Sequence, residues 1–101
     1  MNMDPKELAK NAEDVATILK KLSNPYRLMI LCCISENELT VGDLNKQVDL
    51  SQSALSQHLA KLRASNIVAT RRESQTIYYR IADDRVKELL VILQEKFCPQ
   101  K

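Results

Sequence analysis

Apolar residues recur along this chain in two different periods. Leu8, Ala12, Val15, Leu19 and Leu22 alternate spacings of four and three, the period of one helical face, and Ala16 and Ile18 widen the stripe. The spacing predicts a first helix from about Asp4 to Leu22, with Pro5 suited to its first turn. Ser23-Asn24-Pro25 breaks it and starts a second helix, from Tyr26 to about Ser35, with Leu28, Ile30, Leu31 and Ile34 as its apolar positions. After the polar turn Glu36-Asn37-Glu38, Thr40 followed three residues on by Asp43 reads as a capping-box variant. It opens a short helix carrying Val41, Leu44 and Val48. Asp49-Leu50-Ser51 interrupts, and Ser51 caps a fourth helix from Gln52 to about Ala64.

Beyond Ser65-Asn66 the period changes. Ile67 to Thr70 and Thr76 to Ile81 are rich in β-branched and aromatic residues, and the polar stretch Arg71 to Gln75 lies between them. This predicts a β-hairpin with its tip near Ser74-Gln75, in a turn without glycine. A last helix follows from about Asp83 to Phe97, its N-terminus favoured by Asp83 and Asp84 and its stripe formed by Val86, Leu89, Leu90, Leu93 and Phe97. Two short helices joined by a tight turn are a helix-turn-helix, and a hairpin directly after one is a wing. The expected class is therefore mainly α with a small β-hairpin (α+β), a winged helix-turn-helix of order ααααββα. With 101 residues and no linker-like segment, residues 1–101 are expected to form a single DNA-binding domain.

The fourth helix carries the chemistry. At 100° per residue, Leu59 and Leu62 fall within about 40° of Leu55 and face a core. Ser53, Ser56, Gln57 and Ala60 fall roughly 100–160° away on a short, polar, uncharged face. Gln pairs with adenine edges, Ser donates to or accepts from several bases, and small residues let a helix approach the major groove closely. An ordinary solvated face is the competing reading, but such faces favour Glu and Lys, the better helix formers. Lys61 and Arg63 follow as phosphate anchors. His58 lies beside the apolar stripe, where packing or a phosphate contact suits it better than catalysis. The candidate DNA-contacting set is Gln52, Ser53, Ser56, Gln57, His58, Lys61 and Arg63 on this helix, with Arg71, Arg72, Gln75 and Thr76 around the wing tip.

Charge is distributed to match. Residues 1–49 hold six Lys/Arg and eight Asp/Glu, a net of −2, whereas residues 50–80 hold five Lys/Arg against Glu73 alone, a net of +4. No acid occurs between Leu50 and Arg72. On charge alone this is equally a solvated basic face or a phosphate-contacting one.

The N-terminal stretch lacks the pattern of a signal peptide, and the longest apolar run, Leu28 to Ile34, is too short to span a bilayer, so a cytoplasmic address is expected. Three cysteines, Cys32, Cys33 and Cys98, argue against a disulfide framework and leave apolar packing, metal ligation or redox chemistry open. Neighbouring helical cysteines point about 100° apart, so a Cys32–Cys33 disulfide would strain the helix. Cys98 sits at a helix end before Pro99, where the backbone can adjust. No glycine-rich phosphate loop or nucleophile-base arrangement is present, so the chain is not expected to be an enzyme or to need a cofactor. A thiol oxidoreductase would want a Cys-x-x-Cys pair beside a βαβ unit, and a protein-binding winged helix would carry acids or large apolar groups on its fourth helix.

These residues resemble the ArsR/SmtB family of winged-helix regulators. The likeness runs from Leu19-Lys20-Lys21-Leu22-Ser23-Asn24-Pro25-Tyr26-Arg27-Leu28 through Glu38 to Leu44, and on through Ser51-Gln52-Ser53-Ala54-Leu55-Ser56-Gln57-His58-Leu59 to Tyr78-Tyr79. The resemblance implies a homodimer through the first and last helices that places two recognition helices on a near-palindromic double-stranded operator. The expected interface is Leu8, Ala12, Val15, Leu19, Leu89, Leu90, Leu93 and Phe97. One family metal site uses two cysteines in the third helix, where this chain has Thr40 and Gly42, and another uses His on the last helix, which has none here. No metal is therefore expected in either usual site, leaving a soft ion held by cysteines across a dimer as an alternative. The nearer resemblance is to the HlyU/BigR/SqrR/YgaV thiol-sensing subgroup, through Cys32 in the second helix and Cys98 near the end of the last. It implies a Cys32–Cys98 switch in which disulfide or persulfide chemistry, with an oxidant or reactive sulfur species as inducer, weakens DNA binding. A regulator of this family without a redox switch is the alternative.

Overall fold

The computed structural model describes residues 4–98. The expected domain over 1–101 thus has its two ends, and Pro99, outside the described residues. The elements are α1 (Pro5–Leu22), α2 (Pro25–Cys33), α3 (Val41–Gln47), α4 (Gln52–Ala64), β1 (Val68–Glu73), β2 (Thr76–Ile81) and α5 (Asp84–Phe97), the order the periodicity predicts.

Four of the five helix starts carry a side-chain cap, and α1 opens on Pro5 instead. Asn24 caps α2, its Oδ1 accepting from the Tyr26 and Arg27 amides at 2.9 and 3.1 Å. Thr40 and Asp43 close a full capping box on α3: the Asp43 amide donates to Thr40 Oγ1 and the Thr40 amide donates to Asp43 Oδ2. Ser51 caps α4 through the Ala54 amide, and Asp83 caps α5 through the Arg85 amide.

The hairpin is antiparallel, running from Val68 opposite Ile81 to Glu73 opposite Thr76. Its tip is the two-residue loop Ser74-Gln75. Ser74 takes a positive φ of 59° there, which a glycine would adopt more readily. The hairpin is extended by one bridge the periodicity does not predict. Just before α3, Leu39 exchanges both backbone hydrogen bonds with Tyr79 of β2, at 3.1 and 2.8 Å, which ties the wing to the helix-turn-helix.

The core gathers one face from nearly every element: Leu22, Ile30, Leu31, Ile34, Leu44, Val48, Leu55, Leu59, Leu62, Ile67, Val68, Val86 and Leu90. Helix α1 contributes little for its length, with Leu22 its single buried residue among the 18. Among the described residues, no helix is long and apolar enough to cross a membrane.

Candidate nucleic-acid interface

Helices α3 and α4 meet at a short turn that the sequence braces twice. Leu44 and Val48 are buried with Leu55, and Asn45 Nδ2 donates to Leu50 O at 2.8 Å across the turn. Leu55, Leu59 and Leu62 are 0–1% exposed, as their spacing predicts, so the opposite face of α4 is turned outward. Gln52, Ser53, Ser56, Gln57, Lys61 and Arg63 are all exposed, and α4 contains no acid. Beside them, an open cleft of about 530 Å³ is lined by Ser56, Ala60 and Arg63 of α4 together with Asn66 and Tyr79 of the wing side.

His58 differs from its neighbours on α4. It is half-buried, and its Nδ1 accepts a hydrogen bond from Arg27 Nε of α2 at 3.2 Å. Burial, then the charges of Arg27 and Lys61, hold its pKa below the ordinary histidine value.

At the wing, Arg71, Arg72, Gln75 and Thr76 are exposed. The two arginines are not equivalent. Arg71 donates to Glu38 at 3.0 Å and to Glu73 at 2.7 Å, with its guanidinium carbon 4.5 Å from the Tyr78 ring centroid. Arg72 donates to Ser74 O at 3.2 Å and meets no acid among the described residues. The acid-free stretch of sequence therefore acquires an acid in space, Glu38, which lies 33 positions from its partner.

The cysteines separate into a pair and a third. Cys32 of α2 and Cys98, the residue that ends α5, line one apolar cavity of about 530 Å³ with Leu28, Met29, Leu90, Leu93, Gln94 and Phe97. Cys33 does not line it. Burial, and secondarily the neighbouring Cys32, push the Cys33 thiol pKa up, which disfavours its thiolate. Cys98 is exposed, Cys32 and Cys33 are half-buried, and all three are free thiols. Among the described residues, no three His, Cys, Asp or Glu side chains come together as a metal ligand set.

The apolar faces expected to meet a second copy are divided. Leu8, Val15, Leu19 and Phe97 are 48–76% exposed, Ala12 is exposed, and Leu89 and Leu93 are half-buried. Leu90 is a correction: at 0% exposure it belongs to the protomer's own core and has no surface to offer a partner. Val91 and Ile92, outside the expected set, are 42% and 53% exposed instead. The stripe of α5 is wide enough to serve two sides, and its period alone does not say which residues turn inward.

Comparison with known proteins agrees with this geometry. The model of the bacterial regulatory protein, arsR family, matches residues 24–70. The transcriptional activator HlyU of Vibrio cholerae is 44% identical over 96 residues, 95% of this chain and 89% of that protein. Its structure in the reduced form superposes with a TM-score of 0.88, covering 92% of this chain and 98% of that one. The transcriptional repressor BigR of Xylella fastidiosa, 41% identical, superposes with a TM-score of 0.87 over 97% of each chain. A homodimeric winged helix-turn-helix DNA-binding domain from Mycobacterium bovis, 29% identical, gives a TM-score of 0.76 over 94% of this chain and 88% of that one. These relatives are named as regulators, not enzymes.

Proposed function

The chain belongs to the arsR family of bacterial regulatory proteins and is a DNA-binding transcription regulator; from that premise we propose that it is a cytoplasmic homodimer whose grip on its operator is set by the thiols of Cys32 and Cys98. Gln52, Ser53, Ser56 and Gln57 read base edges in the major groove, while Lys61, Arg63 and Arg72 hold phosphates and Gln75 and Thr76 follow the backbone at the wing. Arg71, already neutralised by Glu38 and Glu73, contributes less.

Dimerisation is supported by shape as well as by the mycobacterial relative. The chain exposes 7474 Å², where a compact monomer of this size exposes about 5,800 Å². Its radius of gyration is 15.1 Å, where a globule of this length has about 13 Å. Helices α1 and α5 expose apolar residues that a second copy would cover, among them Leu8, Val15, Leu19, Val91, Ile92 and Phe97.

The observation that carries the thiol reading is that Cys32 of α2 and Cys98, which follows α5, line one open apolar groove. With a peroxide, one thiolate attacks the O–O bond and becomes a sulfenic acid. The second thiolate then displaces hydroxide, so that two thiols are oxidised while the peroxide is reduced to water. With an inorganic polysulfide, one thiolate attacks an S–S bond, takes the outer sulfur as a persulfide and expels the shortened polysulfide; the second thiolate then displaces hydrosulfide from the persulfide to close the disulfide. Either product ties the end of α5 to α2 and shifts the helices that set the spacing of the two recognition helices. The similar HlyU structure is described as the reduced form. HlyU is named an activator and BigR a repressor, so the sign of control is left to experiment.

The test is an anisotropy titration with a labelled duplex at several salt concentrations, on reduced and on polysulfide-treated protein. Salt-sensitive binding that weakens after treatment in the native chain, and not in Cys32→Ser or Cys98→Ser, is the expected result. Equal weakening in both variants would remove the switch.

A further inference from the structure

We propose that His58 is a positioning residue: by accepting a hydrogen bond from Arg27 it holds the recognition helix α4 against α2, and affinity for DNA falls when its imidazole takes up a proton. Arg27 pins three elements. Its amide is held by the Asn24 cap, its Nη1 donates to Lys21 O at the end of α1 at 3.2 Å, and its Nε donates to His58 Nδ1 at 3.2 Å. A neutral imidazole accepts through one nitrogen and donates through the other, so acceptance at Nδ1 places the proton on Nε2. A protonated ring has two donors and no acceptor, and arginine offers only donors. Protonation therefore replaces the α2–α4 hydrogen bond by two like charges facing each other.

Among the described residues, no acid acts on the imidazole to favour its charged form. The groups facing His58 are Arg27 and Tyr26 from α2, with the Tyr26 ring centroid 6.3 Å away, and Lys61 from α4 itself. None of them is an acid. Burial, Arg27 and Lys61 all favour the neutral ring. With the folded value below the 6.5 of a free histidine, the fold keeps its full stability above that value and loses some as the pH falls through and below it.

His58 is the single histidine of the chain, so its titration can be followed without a competitor of the same type. The sign of the effect distinguishes this role from a direct phosphate contact. An imidazolium touching a phosphate strengthens binding in acid, because a charged donor replaces a neutral one. A positioning imidazole weakens it.

The experiment measures affinity of the reduced full chain for a duplex selected in vitro from a random library, between about pH 7.5 and 5.5. Affinity of the native chain is expected to fall about fivefold across that range, the factor commanded by one hydrogen bond of ordinary strength. His58→Asn, whose Oδ1 can accept from Arg27 without titrating, binds more tightly than His58→Ala at neutral pH and flattens the profile. His58→Ala is weak at every pH. A rise in affinity on acidification that disappears in His58→Asn would overturn the proposal in favour of a phosphate contact, and identical profiles in the native chain and His58→Asn would overturn it outright. Imidazole nitrogen NMR on the native chain provides a readout that needs no variant. Nδ1 is expected unprotonated at neutral pH, and a proton there contradicts the proposed bond.

Discussion

Gln94 Nε2 donates to Ser35 Oγ at 3.3 Å, across the junction of α5 with the end of α2. Ser35, the single polar residue buried among the described residues, passes the connection on by donating to Cys32 O at 2.8 Å. Gln94 O in turn accepts from the Cys98 amide at 2.9 Å. One short polar chain thus connects the backbones at both cysteines and fixes how the end of α5 sits on α2. Replacing Ser35 by Ala removes both of its side-chain hydrogen bonds without adding bulk. The expected loss is about 1 kcal/mol of stability, read as a lower urea midpoint at unchanged slope, with faster alkylation of Cys32. An unchanged midpoint would show that the chain of bonds contributes nothing.

The wing arginines are expected to behave differently on DNA. Arg72→Ala weakens binding to all duplexes alike and lowers the slope of log affinity against log salt by about 1. Arg71→Ala changes the slope less, since Glu38 and Glu73 already neutralise that charge. The order of the two slopes is the check, and the reverse order would mean that Arg71 leaves its acids when DNA arrives.

Gln57→Ala tests base reading. Its effect is expected to be about 1–3 kcal/mol on a selected duplex and much smaller on an unrelated one. Equal losses on both duplexes would remove Gln57 from sequence recognition and leave it a phosphate contact.

Thiol reactivity is expected to follow exposure. Iodoacetamide labels Cys98 first, and Cys33 lags because burial and Cys32 raise its pKa and keep it in the thiol form. Mass spectrometry of the labelled peptides over time decides the order, and Cys33 reacting ahead of Cys98 at neutral pH would contradict it.

Most of the fold was legible in the sequence because its devices are local. Leu55, Leu59 and Leu62 declare the inner face of α4 by spacing alone, and Thr40 and Asp43 announce α3 by their caps. Even the glycine-free turn at Ser74-Gln75 lies where the polar stretch predicts it. Contacts between distant residues were not legible. Glu38 carries no local sign that it will meet Arg71, nor Leu39 that it will pair with Tyr79, nor Arg27 that it will hold His58. Leu90 falls within the expected dimer face for a related reason: an apolar stripe does not state whether it meets its own core or a second copy. The outward polar face of α4 was fully legible, since the inward leucines leave it no other direction.

The most direct measurement is peptide mapping after polysulfide treatment of the DNA-free protein, with a gel shift on the same sample. The account predicts a Cys32–Cys98 linkage, with Cys33 unlinked, whose yield rises in step with loss of the shifted band and reverses on reduction. Release of DNA with Cys32 and Cys98 still unmodified, or full linkage with the band undiminished, would contradict it.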